Sequence, residues 1–224
     1  MAGGKGRRMG GEAKQFRRLG DRPTLCWAAR PLLESVAGPL VVVVPPGRVE
    51  EGERALGAHL PEHVERIRVV AGGERRRDSV FSGLEAIGNA STVLVHDAVR
   101  PFASAGLARR IAARAAAGRA VVPALRVRDT LKEVEDGRVV RTVERARLVA
   151  VQTPQGFPVE VLREAHRSDD GDATDDAGLV ERLGHPVTWI EGERLNRKLT
   201  DPEDWEWAED VVAAGRVRWR REVW

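Results

Sequence analysis

Ala2-Gly3-Gly4-Lys5-Gly6-Arg7-Arg8-Met9, closed by Lys14, is the stretch from which the rest of this 224-residue chain is best read. Three glycines within four positions allow a tight turn that brings backbone N–H groups against a bulky anion without Cβ interference. The arginines and lysine around them supply forked and point-charge donors suited to phosphate. The stretch is neither a Walker loop, since no Gly-Lys-Ser/Thr ends it, nor the spaced dinucleotide fingerprint. Lysine usage adds weight: of 37 basic residues only Lys5, Lys14, Lys132 and Lys198 are lysines. In a chain so biased to arginine, a retained lysine marks a place where a compact ammonium is useful.

Beyond the glycines the chain alternates short β-rich runs with helical patterns, the sign of βαβ units and a largely parallel sheet. Strands are expected at 39–44, 66–70, 92–95, 120–125, 148–151 and 186–190. Helices are expected at 24–35, 78–87, 104–117 with Ser104 as cap, and 158–166. Further helices open at Thr174-Asp175-Asp176 and at Asp201-Pro202. Gln152 to Gly156 reads as a loop. A site of this kind needs a strand feeding its Gly-rich loop, and here the sequence opens on the loop, so a preceding strand in the natural chain is expected.

Residues 130–143 break the alternation. Asp136-Gly137 stands where a two-residue hairpin turn belongs, setting Glu135 opposite Arg138, Val134 opposite Val139, and Lys132 opposite Arg141. The last pair is unfavourable.

Composition narrows the class. Apolar content of 42% with 32% charge describes a folded globular chain, and one α/β domain over 1–224 is expected. The longest apolar run, Leu40 to Val44, is too short to cross a bilayer, and neither signal peptide nor interdomain linker is evident. A single cysteine, Cys26, fits a reducing cytoplasm and reads as a small buried hydrophobe. The sequence pI of about 9.6 rests on a net charge of only +3, and aromatics make up 4%, so stacking platforms for nucleic acid are not evident. The Trp-rich end, with Trp219 and Trp224, suggests no function.

Asp97 stands at the carboxyl end of an apolar strand, where open α/β sheets place their ligands, and a carboxylate there can hold Mg²⁺. His96 reads as structural, and no His/Cys cluster suggests zinc. Arg75 to Arg77 reads first as a solvated basic turn and second as a phosphate patch. Thr174-Asp-Asp reads as a helix cap.

Eight motifs in series then carry a resemblance. They are Ala2–Met9, Gly72-Gly-Glu-Arg-Arg-Arg-Asp-Ser79, Val95-His-Asp-Ala-Val-Arg-Pro101 and Val127-Arg-Asp-Thr130. Thr142-Val-Glu-Arg145, Gln152-Thr-Pro-Gln155, Thr174-Asp-Asp176 and Asn196-Arg-Lys-Leu-Thr200 complete the series. From Ala2 to about Ala208 the chain resembles the 2-C-methyl-D-erythritol 4-phosphate cytidylyltransferases of non-mevalonate isoprenoid biosynthesis. The resemblance implies a Rossmann-like α/β nucleotidyltransferase with a mostly parallel sheet and a protruding β-hairpin arm over 128–146. It implies transfer of CMP from CTP to methylerythritol phosphate with Mg²⁺, in the cytoplasm, without nucleic-acid or membrane partners. Arg8, Lys14, Arg145 and Lys198 match the family's catalytic cations. Ala2, Gly3, Gly4, Gly6, Gly73, Glu74, Ser79 and Asp97 match its CTP site, Asp97 also its metal contact. Thr130, Arg145, Thr153 and Lys198 match its methylerythritol phosphate site. The arm implies a homodimer with shared sites. Three other readings stand beside this one: a sister ribitol 5-phosphate cytidylyltransferase, a non-catalytic nucleotide-binding relative, and, for the opening stretch alone, the molybdenum-cofactor nucleotidyltransferases.

Overall fold

Hydrophobic runs too short for helices become strands, and their crossovers become the helices that cover them. The computed structural model describes residues 1, 13–168 and 173–219. Ala2, Gly3, Gly4, Gly6 and Arg8 therefore lie outside the described residues.

A 3-10 turn at Lys14–Phe16 leads to β1 (Arg18–Leu19) and β2 (Arg22–Pro23), a two-stranded antiparallel pair, and then to α1 (Thr24–Leu33). β3 (Leu40–Val44) crosses through α2 (Val49–His59) to β4 (Ile67–Ala71), which it pairs in parallel from Leu40↔Ile67 to Val44↔Ala71. That crossover needs a helix, and α2 supplies one although its buried face is only Gly52 and Leu56. α3 (Arg76–Ala86) and β5 (Thr92–Val95) follow. In α4 (Ala105–Ala116) the Ser104 hydroxyl accepts the Leu107 N–H at 3.0 Å, so the predicted cap is present. β6 (Ala120–Arg126) returns to the sheet.

The arm is β7 (Leu131–Glu135) and β8 (Arg138–Val143). Its turn has Asp136 at φ 49° and Gly137 at φ 77°, the two positive values that a type I′ turn requires. Glu135↔Arg138 and Val134↔Val139 pair as predicted, but a bulge follows and the expected Lys132–Arg141 opposition does not form. Glu133 instead ion-pairs with Arg141, and the Lys132 ammonium donates to the Thr142 hydroxyl at 2.6 Å. One extra residue on β8 exchanges a like-charge clash for an attraction.

β9 (Val149–Val151) pairs β6 antiparallel. β10 (Gln155–Pro158) occupies part of what reads as loop in the sequence and runs antiparallel between β5 and β6. Then come α5 (Val159–Ser168), α6 (Asp176–Arg182), β11 (Val187–Glu191), parallel to β6, and α7 (Pro202–Ala213). The larger sheet thus has the order β11-β6-β10-β5 with β9 against β6, while β3 and β4 form a separate parallel pair. The sheet is mixed, not mostly parallel as expected.

Four clusters of described residues fill the interior, the smallest being Leu107, Ile111 and Ala115 of α4 against Val121 of β6. Leu25, Cys26, Val42, Val44, Leu56 and Val69 pack between α1, α2 and the β3–β4 pair. Val80, Leu84, Val95, Phe157, Leu162 and Leu179 pack where α3, α5 and α6 cover the larger sheet. Trp205, fully buried on α7, packs with Leu19, Trp27, Phe102 and Leu199. Trp219 meets Trp27 edge-on with ring centroids 5.1 Å apart, so the Trp-rich end, as far as it is described, belongs to the core. Cys26 is a buried free thiol whose pKa burial pushes up to about 12, which agrees with its reading as a hydrophobe.

Candidate active site

The carboxyl ends of β4 and β5 open onto one polar cluster centred on Asp97, just beyond β5. The Lys198 ammonium lies 2.8 Å from Asp97 Oδ2, and Arg100 Nε lies 3.9 Å from the same oxygen. Burial works to raise the Asp97 carboxyl. The Lys198 ammonium, with the Arg76 guanidinium behind it, overrides burial and holds the carboxyl below the usual carboxylate range. Asp97 is therefore a buried anion at any physiological pH.

Its backbone is fixed by a chain whose direction can be derived. The Arg100 carbonyl can only accept, so His96 Nε2 donates to it at 3.1 Å. Burial, aided by the positive amino terminus, pushes the His96 pKa down to about 3, so the ring is neutral and Nδ1 must accept. The Thr153 hydroxyl, 2.9 Å away, is then its donor. Thr153 Oγ1 in turn accepts the Asp97 N–H at 3.1 Å. The Thr153 hydroxyl hydrogen is thereby committed to His96, and Thr153, only 4% exposed, orients Asp97 from beneath.

Lys198 is held by an equally specific loop. Gln152 Nε2 donates to the Glu193 carbonyl at 2.9 Å and to the Asn196 carbonyl at 3.2 Å, while its Oε1 accepts the Glu193 N–H at 3.0 Å. Asn196 Nδ2 donates to the Thr153 carbonyl at 2.7 Å, and the Leu199 N–H to the Val99 carbonyl at 2.8 Å. Arg100 closes the ring by donating to the Asn196 carbonyl at 2.9 Å. Gln152-Thr153 and Asn196 are thus the bolts that aim Lys198 at Asp97. Lys14 arrives from the 3-10 turn and donates to the Thr200 carbonyl, two residues from Lys198.

Gly72-Gly73 forms the neighbouring turn between β4 and α3. A Cβ on Gly72 would stand 2.5 Å from Ser79 Oγ, and one on Gly73 would run into the Asp78 side chain, so this turn accepts only glycine. The Ser79 hydroxyl is 3.2 Å from the Arg75 carbonyl and 3.4 Å from that of Gly73, and Ser79 is buried, whereas Glu74 is exposed.

The arginines beyond the turn depart from the expected solvated patch. Arg75 grips Asp78 at the helix start, Arg77 donates to the His166 carbonyl at 2.7 Å, and Arg76 meets the wholly buried Asp176 at 2.6 Å. His166 Nε2 donates to the other Asp176 oxygen at 3.2 Å. Burial alone would raise the Asp176 carboxyl, but bonds from His166 and Arg76 hold it low. Asp175 does cap α6, accepting the Gly178 N–H at 3.0 Å. The acidic pair therefore divides between a cap and an anchor for the Gly-Gly turn.

The structure brings Asp97, Thr153 and Lys198 together, with Lys14 donating to the Thr200 carbonyl nearby. Thr130 and Arg145 do not join them: both are exposed at the base of the arm, and no hydrogen bond or ion pair links either to the Asp97 cluster among the described residues. Sequence reasoning does not single out Arg76, Arg100, Gln152 or Asn196 individually. The sequence signal for Arg100 is its place three residues after Asp97, close enough to return to it.

Among the described residues no three His, Cys, Asp or Glu side chains converge as a metal cage. Mg²⁺ does not need one, because it is commonly held by one or two carboxylates plus substrate phosphates. Asp97 fits that use: it is kept ionised, Lys198 takes Oδ2, and Oδ1 accepts no bond from a described residue.

A buried carboxylate, two lysines and a Gly-Gly turn thus gather at the edge of an α/β sheet, and comparison gives the class as a nucleotidyltransferase. Residues 1–214 match the family described as 2-C-methyl-D-erythritol 4-phosphate cytidylyltransferase. The chain belongs to that family. The protein of that name from Rhodococcus opacus is 46% identical over 217 residues, covering 96% of this chain and 93% of that protein. The "Bifunctional enzyme IspD/IspF" of Solidesulfovibrio magneticus is 46% identical over 216 residues, covering 91% of this chain and 54% of that protein, so the chain spans about half of such relatives. The crystal structure of the Thermus thermophilus cytidylyltransferase superposes with a TM-score of 0.76 at 39% identity, covering 91% of this chain and 94% of that one. No described helix is long and apolar enough to cross a membrane.

Proposed function

We propose that the Asp97–Lys198 cluster is where this chain carries out its family's reaction, the transfer of CMP from CTP to 2-C-methyl-D-erythritol 4-phosphate with release of pyrophosphate. The observation that carries the assignment is the 2.8 Å pair itself, set at the carboxyl end of β5 on a loop bolted through Gln152 and Asn196. A phosphate oxygen of the acceptor attacks the α-phosphorus of CTP. The new P–O bond forms as the bond to the bridging oxygen breaks, and that electron pair leaves with pyrophosphate. The nucleophile is largely ionised already, since the second pKa of a phosphomonoester is about 6, and no general base is required. What the chain must supply is position and positive charge around a five-coordinate phosphorus. Lys14, Lys198 and Arg8 are assigned that task, and Asp97 fixes Lys198. Gly73, Glu74 and Ser79, with the Ala2–Gly6 stretch, are assigned to the nucleotide. Mg²⁺ would be held by Asp97 and would neutralise charge on the CTP phosphates.

Thr130 and Arg145 are assigned to the acceptor phosphate of a neighbouring subunit's site. Support comes from the arm, where Val134, Val139 and Val140 are 58%, 62% and 55% exposed on a two-stranded ribbon. Such a ribbon is marginal in water and gains by packing on another surface. A cytoplasmic location belongs to the same reading, with the free thiol of Cys26 in its favour.

Pyrophosphate release from CTP and Mg²⁺, measured side by side with methylerythritol phosphate and ribitol 5-phosphate, tests the reaction. Turnover with the first alone is expected. Preference for the second would move the chain to the sister activity, and release with neither would refute the assignment. Mixing Arg145→Ala with Lys198→Ala subunits tests the sharing: one intact site in each mixed dimer restores about a quarter of wild-type activity, whereas self-contained sites restore none.

A further inference from the structure

Lys198 is carried by the loop between β11 and α7, and its neighbours on both sides are tied to a carboxylate that lies outside the Asp97 cluster. Asp204, in the first turn of α7 and only 2% exposed, receives Arg197 Nε at 2.5 Å on Oδ1. Its Oδ2 accepts the Thr200 N–H and the Thr200 hydroxyl, both at 2.7 Å, and the Asp201 N–H at 3.3 Å. Burial works to raise this carboxyl. The bonds from Thr200 and Asp201, with the Arg197 guanidinium behind them, hold it below the usual carboxylate range. The helix N-terminus on which it stands favours the same anion.

Starting a helix does not require this arrangement. In a capping box the side chain three residues after the cap returns only to the N–H of the cap. Asp201 caps α7 and Asp204 completes the box, yet its bond to the Asp201 N–H is the longest of its four. The three shorter ones reach out to the loop. Both lysines of the site depend on them. Lys198 stands between Arg197, held by Asp204, and Leu199, fully buried with its N–H on the Val99 carbonyl. Lys14 donates to the carbonyl of Thr200, whose N–H and hydroxyl Asp204 holds. One carboxylate thus fixes the backbone that presents one ammonium and the carbonyl that receives the other.

We propose that Asp204 is a positioning residue for the transfer reaction, acting through Arg197 and Thr200 to set Lys14 and Lys198 together at the Asp97 cluster. The inference rests on the reading of those two lysines as the cations that meet the phosphates. Its energetic logic is that of a preorganised site: donors already aimed at the developing charge need no reorganisation when the reaction occurs. A loop left to itself would let both ammonium groups drift, and a displacement of about 1 Å can cost about a hundredfold in rate.

The test compares Asp204→Asn with Asp201→Ala in the full chain. Asparagine keeps the shape but cannot accept from Arg197 and Thr200 at once, because its amide nitrogen would face a donor. Asp201→Ala removes the cap of the same helix and leaves those bonds in place, at a cost of about 2–4 °C in Tm. Asp204→Asn should lower kcat about tenfold or more with KM for CTP within about threefold, while Asp201→Ala keeps kcat within about twofold. A kcat loss no larger in Asp204→Asn than in Asp201→Ala would overturn the proposal. Lysine acylation, read by mass spectrometry against the exposed Lys132, reports the geometry without turnover. Lys14 and Lys198 should label several-fold faster in Asp204→Asn and at the wild-type rate in Asp201→Ala. Unchanged labelling would overturn the proposal, whereas faster labelling with unchanged kcat would uphold the positioning and refute the catalytic reading of the lysines. Thr200→Val leaves the buried carboxylate in place and removes one of its donors, and Thr200→Ser restores that donor, so the pair carries the test should Asp204→Asn not fold. The valine variant should lose kcat and the serine variant keep it, and equal kcat in the two would overturn the proposal.

Discussion

Lys198→Met keeps the length of the side chain and removes its charge, so it isolates what the ammonium does beside Asp97. At 2.8 Å the gross attraction is roughly 6 kcal/mol at an effective dielectric constant of about 20. Most of it is offset, because Asp97 is desolvated and the Lys198 side chain is 44% exposed. Exposed pairs measure about 0–1 kcal/mol, and breaking a fully buried pair costs about 3–5, so this half-buried one should cost about 2 kcal/mol. At this chain length that is a Tm lowered by about 4–8 °C. Sign follows from linkage: the Asp97 carboxyl is held below its unfolded value, so the contribution is fully present above about pH 4 and fades as pH falls through the folded pKa. The Tm gap between wild type and variant should therefore be constant from pH 6 to 8 and narrow under acid. Activity is the decisive arm. A cation acting on the developing phosphate charge is worth about 10²–10³ in kcat, far more than the stability loss accounts for. If kcat for pyrophosphate release stays within about threefold of wild type in folded variant, the lysine is a structural partner of Asp97 and its proposed catalytic role is refuted.

Asp176→Asn breaks the charge pairing between a wholly buried Asp176 and a partly exposed Arg76 and should cost about 2–3 kcal/mol in urea denaturation, and a loss under about 0.5 would refute the pairing as an anchor. Phe157→Ala, fully buried on β10, should cost about 3–5 kcal/mol by the same assay, and a loss under about 1 would mean β10 is not packed between β5 and β6 as described. Val134→Lys with Val139→Lys places like charges on opposed arm positions and should shift sedimentation toward monomer at micromolar concentration without lowering Tm of the subunit by more than about 2 °C. Thr153→Val removes both the donor to His96 and the acceptor for the Asp97 N–H, and should lower kcat about tenfold or more with KM for CTP changed less, since a displaced Asp97 misaims Lys198.

What could be read from sequence was whatever a local signal enforces. β5 at 92–95 and the Ser104 and Asp201 caps follow from apolar runs and side-chain oxygens that act within a few residues. α2 was illegible because only Leu56 and Gly52 of its face are buried, too little for a periodic stripe; it exists because β3 and β4 are parallel. β10 was illegible for the opposite reason. Gln155 and Gly156 read as the end of a loop and Pro158 as the start of a helix, yet Gln155–Pro158 is a strand because β5 and β6 flank it and Pro158 sits at its last position, where the missing N–H matters least. The hairpin's turn was legible and its register only half so, since Glu133 had to slide to reach Arg141. At the site, Asp97 and Lys198 could be named but not paired, because their contact joins positions about a hundred residues apart and depends on Gln152 and Asn196, whose bonds are largely with backbone.

The uneven use of the two cations is explained by the same geometry. Arginine here is largely a mortar for main chain. Arg66 donates to the carbonyls of Leu33, Val36 and Gly38, Arg163 to those of Leu84 and Gly88, and Arg100 to that of Asn196. A planar fork with five fixed donors suits that task, since it closes several loops at once and cannot lose its charge. Lysine is poor at it, having one compact head on a flexible stem. Of the three described lysines, Lys132 holds the arm's own strands together, while Lys14 and Lys198 converge on the loop at Thr200 and Asp97. A head that can leave a carbonyl or a carboxylate for a moving phosphate oxygen is what a transfer reaction needs, and a locked fork is not. Replacing Lys198 by arginine would therefore preserve charge and the pairing with Asp97 yet lose mobility. Lys198→Arg should keep Tm within about 2 °C of wild type and lower kcat about tenfold or more, and a fully active arginine variant would show that charge alone is required.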